Sequence, residues 1–249
     1  MYPKFYAMFS NTNLYLTADL KISDVVFDNP RILLLLEHFG IYFPLQEKTI
    51  SEICRENKLN PEVFLAFANL YYGTVHAYPV AFSHKDTQSI ISFLKNGHHY
   101  YLLEKFPDIR QNLLQLYEAN HEREISMVEK FFNEYFNEVT EHLKYEDEVV
   151  FPYIASLYQQ ILMNKSFEEP VSYSVEEYKE HHNDIEEKLS DLNNLLVKYL
   201  PRKDDQKIRR RLILCLSELE YDLTIHANIE DLILIPLVER MELELKTRR

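Results

Sequence analysis

Two stretches of this chain, starting 84 residues apart, repeat one another without a gap. His142-Leu143-Lys144-Tyr145-Glu146-Asp147-Glu148-Val149-Val150-Phe151-Pro152 aligns with His226-Ala227-Asn228-Ile229-Glu230-Asp231-Leu232-Ile233-Leu234-Ile235-Pro236. The His, Glu, Asp and Pro coincide, and the three positions before each proline are apolar in both. In a helix, residues at i and i+4 lie on one face a turn apart, so each segment presents an imidazole and a carboxylate on the same side. One such pair alone is ordinarily a solvated surface pair. Two in matching context require a fold that sets two helices to a common purpose.

Other histidines extend the pattern. His99 precedes His142 by 43 residues and His182 precedes His226 by 44, with midpoints near Asn120 and Asp204. Both midpoints carry helix-capping residues. Positions equidistant from the turn of an antiparallel helical hairpin share one height, so His99 is expected opposite His142, and His182 opposite His226. Four long helical segments follow: about 85–118, with a bend at Pro107; from Asn120 to Pro152 or beyond; from the capping box at Ser174-Val175-Glu176-Glu177 to about Leu200; and from Asp204-Asp205 into the 240s. Asn164–Ser172 reads as a polar connection. Three glycines in 249 residues argue against a turn-rich β architecture.

The segment before these helices reads as a small unit of short ones. Asn29-Pro30 opens a helix that Gly40 ends. Thr49-Ile50-Ser51-Glu52 has the form of a capping box, and Asn60-Pro61-Glu62 supplies an N-cap and a first-turn proline. Gly73–Ser83 reads as a linker. The expected fold is all-α: an antiparallel up-and-down four-helix bundle over 84–249, preceded by a small three-helix domain over 1–80.

The chemistry converges on His99, His142, Glu146, His182, His226 and Glu230 as metal ligands. Four imidazoles and two bridging carboxylates suit a pair of iron ions with an oxo or hydroxo bridge, leaving positions for a diatomic or peroxide. Zinc is the weaker choice, because structural zinc sites close with four ligands and no cysteine takes part here. His98 and His181 sit one position, about 100°, from a proposed ligand and are expected at the rim. Asp147 and Asp231 are expected as surface acids, and His38, His76, His84 and His121 as ordinary residues without a matching partner.

Composition narrows the remaining classes. The formal charge is −13, with six basic against eight acidic residues up to position 83 and 21 against 32 beyond it. A bundle so acidic offers no basic face for nucleic acid. No apolar run approaches a bilayer span, the longest being Ile32–Leu36, and the N-terminus lacks the form of a secretion signal. Cys54 and Cys215 form no framework, so a cytoplasmic protein is expected. No nucleophile elbow, phosphate loop or His-Glu-x-x-His helix is present.

These motifs resemble the hemerythrin-like, or HHE cation-binding, proteins, and among them the di-iron proteins that repair iron–sulfur clusters. His98-His99-Tyr100-Tyr101-Leu102 with Phe106-Pro107 looks like that group's first ligand helix, and the two His-x-x-x-Glu segments and His182 match the others. The leading segment is similar to that group's N-terminal domain, in Asp24-Val25-Val26, Asn29-Pro30-Arg31 and Phe39-Gly40-Ile41-Tyr42-Phe43. It departs where the family carries a Cys-Cys-Gly-Gly turn, because this chain has Pro44-Leu45-Gln46-Glu47. The resemblance implies a non-haem di-iron protein meeting O2, NO or peroxide in cluster repair or stress defence, with damaged iron–sulfur proteins as partners and a homodimer compatible with it. The missing thiols motivate an alternative, a metal- or gas-responsive sensor or interaction module. A carrier of O2 or iron without catalysis is a third reading.

Overall fold

The computed structural model describes residues 15–73, 82–120, 123–164, 174–181, 185–198, 200 and 203–248. His76, His121 and His182, most of the 73–83 linker and most of the 164–172 connection lie outside the described residues. The described chain is helical; among these residues no strand forms, only one isolated bridge between Lys21 and Thr49. Contacts divide the chain into two compact units: Met1–Leu35 with Tyr42–Val80, and Leu36–Ile41 with Ala81–Arg249.

The first unit holds α1 (Ile22–Asp28), most of α2 (Ile32–His38), α3 (Ile50–Glu56) and α4 (Pro61–Tyr71). The Thr49 side chain accepts from the Glu52 N–H while the Glu52 carboxylate accepts from the Thr49 N–H, completing the capping box of α3. Asn60 caps α4, whose residues Val63–Tyr71 are all buried. α1 is one helix more than the capping signals announced, because its N-cap, Lys21, makes no side-chain cap bond. Burial of Cys54, at 0% exposure, pushes its thiol up to about 12 and leaves it unreactive.

Leu36–Ile41 groups with the second unit, although the glycine stop at Gly40 (φ +70°) made it part of the leading helix in sequence. That unit contains α5 (Thr87–Tyr100), α6 (Phe106–Asn120), α7 (Arg123–Tyr145), α8 (Phe151–Leu162), α9 (Val175–His181), α10 (Ile185–Lys198), α11 (Gln206–Ile229) and α12 (Ile235–Thr247). α5 packs on α8, α6 on α7 and α11, α10 on α7 and α11, and α12 on α8 and α9. Leu113, Leu116, Phe132, Val139, Leu189, Leu212, Leu216 and Leu219 are sealed inside. No described helix is long and apolar enough to cross a membrane.

Three joints between consecutive helices have the same form. Residues Tyr101–Lys105, Glu146–Val150 and Glu230–Leu234 are each a single π turn, followed by an apolar residue and a proline. The N–H of Phe106, Phe151 and Ile235 reaches back five residues to the carbonyl of Tyr101, Glu146 and Glu230. Proline has no N–H and its ring clashes with the carbonyl four residues earlier, so regular α geometry fails just before it. The wider turn relieves that clash at the cost of one extra residue. The carboxylates of the repeated motif therefore open the wide turns, while the expected bend at Pro107 is a π turn as well.

A buried clamp ties α6 to α11. The Asp205 carboxylate accepts from Arg209 Nε at 2.6 Å, from Arg209 Nη2 at 2.9 Å and from Asn120 Nδ2 at 2.8 Å. Burial works against its ionisation, but these donors outweigh it and hold the pKa below the ordinary aspartate value. A depressed carboxylate pKa adds stability above the unfolded value, near 4, and that stability is lost as pH falls through the folded value. Asp205→Asn is accordingly expected to lower stability in urea at pH 7 and to flatten the acid limb below about pH 4. An unchanged acid limb in the variant would count against the clamp.

Candidate metal centre

The joints hold the doubled motif in place. Glu146 and Glu230, each 1% exposed, sit at the first position of their π turns, with His142 and His226 one turn before them. A continuous run of close approaches crosses the interior. His142 Nε2 lies 3.2 Å from Glu146 Oε1, and Glu146 Oε2 lies 3.3 Å from His98 Nε2. His98 Nε2 stands 3.3 Å from His226 Nε2, which is 3.6 Å from Glu230 Oε1. Glu230 Oε1 accepts a hydrogen bond from the Tyr178 hydroxyl at 2.8 Å.

The Glu146 oxygens, though close to two imidazoles, make no hydrogen bond. A buried carboxylate so placed needs positive charge beside it, which a protonated His98 or a bound cation can supply. Ligand atoms of His98, Glu146 and His226 all fall within 4.8 Å of one another, and these three residues could hold a metal ion. The donor set of imidazole and carboxylate, without thiolate, fits that use.

The structure brings His98, and not the expected His99, into this interior cluster. His99 is exposed, whereas His98 is 1% exposed and occupies the place in the interior. The reason is helical phase. Ile90, Leu94 and Tyr101 are buried at spacings that put Gly97 and His98 on their face and His99 on the outside. Carried back from Ile109 and Leu113 at the regular α period, the inner face falls between His98 and His99. The extra residue in the π turn at 101–105 moves it back to 97 and 98. Equal counting from the hairpin turn has no means of registering that residue. His142, Glu146, His226 and Glu230 come together as described, and His182 lies outside the described residues, as do the side-chain details of His181.

Counting from the prolines uncovers what the motif comparison overlooked. Gly97 and Tyr101 stand in the first joint where His142 and Glu146 stand in the second. A Cβ at Gly97 would sit 3.3 Å from His226 Nδ1, so the missing side chain makes room for that ring. The Tyr101 ring packs edge-on against His226, with centroids 5.8 Å apart, and its hydroxyl donates to Asp222 Oδ2 at 2.8 Å. Asp222 lies one turn before His226 on the same face of α11 and also meets His38 Nε2 at 2.8 Å. His38, expected as an ordinary residue, is 2% exposed and part of this polar core. A lone histidine in the leading segment carries no local sign of a partner 184 positions away.

Asp147, expected as a surface acid, is half-buried, with its carboxylate 3.3 Å from His98 Nδ1 and 3.7 Å from Lys95 Nζ. Burial lowers the His98 pKa, but contacts with Asp147 and Glu146 outweigh it and lift it to about 9. Burial raises the Asp147 pKa, and His98 more than reverses that. On its other side His98 stacks on Phe151, at 5.6 Å and 22°. Asp231 is exposed.

No protein-family model matches this chain, and no curated protein matches it either.

Proposed function

We propose that the second unit is a hemerythrin-like four-helix bundle housing a non-haem di-iron centre that binds or reacts with O2, NO or peroxide, in iron–sulfur cluster repair or the response to oxidative and nitrosative stress. The observation carrying this reading is the meeting of His98, Glu146 and His226, from three separate helical segments, with ligand atoms within 4.8 Å of one another and His142 at 3.2 Å from the same carboxylate. The pairing of α5 with α8 and α6 with α7, and of α12 with α9 and α10 with α11, supports the bundle topology.

In this reading the carboxylates of Glu146 and Glu230 and the imidazoles of His98, His142 and His226 would hold the two ions. His182 is the fourth imidazole, taken from sequence alone. Two iron ions so held would supply electrons and open positions for a small oxygen or nitrogen species. The remaining work belongs to the chain. Asp147 holds the outward nitrogen of His98, and the Tyr178 hydroxyl orients Glu230; such supports typically govern ligand geometry and basicity. Phe151 and Tyr101 close the surroundings of His98 and His226 to water.

Elemental analysis of the purified protein should find about two irons per chain, and Glu146→Ala should remove most of them. Ferrous protein should give a nitrosyl absorption on exposure to NO. Loaded protein inert to NO, O2 and peroxide alike would defeat the proposed chemistry; zinc at full occupancy in place of iron would defeat the choice of metal.

A further inference from the structure

On the outer side of Phe151, α5 and α8 border a cleft of about 500 Å³. Its apolar walls include Ile91, Phe151, Pro152 and Tyr158, and its basic side chains are the Lys95 ammonium and the His99 imidazole. None of the residues lining it is acidic. That absence is unusual here, because the chain has 40 acidic residues against 27 basic ones. From Thr87 to Leu103 there is no carboxylate, and from Val149 to Asn164 no charged residue at all. Lys95 stands 5.6 Å above the Phe151 ring, and its ion partner Asp147 is at the long distance of 3.7 Å.

We propose that this cleft is a binding site for a small organic carboxylate with a flat apolar body. The body lies against the Phe151 and Tyr158 rings and Pro152, and the carboxylate meets the Lys95 ammonium, with the His99 imidazole beside it. Pockets for small molecules combine mainly apolar walls with a few polar groups that fix orientation, and this cleft has that make-up. A weakly engaged ammonium beside an aromatic floor, with no competing acid among the lining residues, selects an anion over its neutral isostere. His99, facing outward and away from the candidate metal centre, thereby gains a role. The site stands independently of any metal at Glu146.

The test is calorimetric titration of the full chain with 2-naphthoate and with neutral 2-naphthol. Saturable 1:1 binding is expected, favouring naphthoate by about tenfold, as for one added charge-assisted contact. Lys95→Gln should remove that preference while leaving naphthol binding intact. Ala155→Trp, a change at an exposed lining position, should fill the cleft and weaken both ligands about tenfold or more. Circular dichroism confirms that each variant is folded. Absence of saturable binding, equal affinity for the two ligands, a preference that survives Lys95→Gln, or indifference to Ala155→Trp would each overturn the proposal.

Discussion

His98→Ala is expected to weaken metal binding by about 100-fold or more, while His99→Ala leaves it within about threefold of the parent. Supporting residues around a metal commonly cost 10–100-fold when removed, and a direct ligand stands above that range. His98 brings one nitrogen to 3.3 Å from both Glu146 and His226, so its loss removes an imidazole and breaks the contact between two helices. His99 points outward into the cleft beside Lys95 and has no part in that run. Competition titration with a chelator of known affinity measures both variants against the parent. The reverse order, with His99 essential and His98 dispensable, would return the ligand to the position suggested by equal hairpin counting. It would also require α5 to be rotated by about 100° from the geometry described.

Asp222→Ala is expected to cost on the order of 3–5 kcal/mol of stability. Two donors converge on one oxygen, the His38 Nε2–H and the Tyr101 hydroxyl, each at 2.8 Å. All three groups are buried. Removing the acceptor costs two buried donors a hydrogen bond, at about 1–3 kcal/mol apiece, and leaves a cavity beside them. His38 already has its Nδ1 buried without a hydrogen bond, so it has little alternative. Urea unfolding of Asp222→Ala, Tyr101→Phe and the double variant forms a cycle. Because both single changes break the same bond, the double variant should be less destabilised than their sum. Simple additivity would show that the Tyr101–Asp222 bond contributes nothing, and a loss below about 1 kcal/mol for Asp222→Ala would show the network to be dispensable.

The capping box at Thr49–Glu52, the glycine stop at Gly40 and the N-cap and proline of α4 act within four residues, and each is found where local chemistry placed it; at Ser174 the side chain accepts from the Glu177 N–H as expected of such a box. The same holds for the pairing of His142 with Glu146 and of His226 with Glu230, since helical spacing alone puts them on one face. The bend expected at Pro107 is found as a π turn, and the equivalent turns before Pro152 and Pro236 were not anticipated.

What needed the folded chain is the phase and the partner. A π turn adds one residue to a helix, which rotates everything beyond it by one position, and this is what separates His98 from His99. Likewise His38 and Asp222 have no spacing that joins them, and Asp147 looks like any surface acid until the helices pack. Local composition determined where helices begin, end and carry their imidazole–carboxylate pairs, because those effects are over within a turn. Which side chains meet across the interior was decided by packing, because contact between distant residues depends on the rotation of whole helices about their axes.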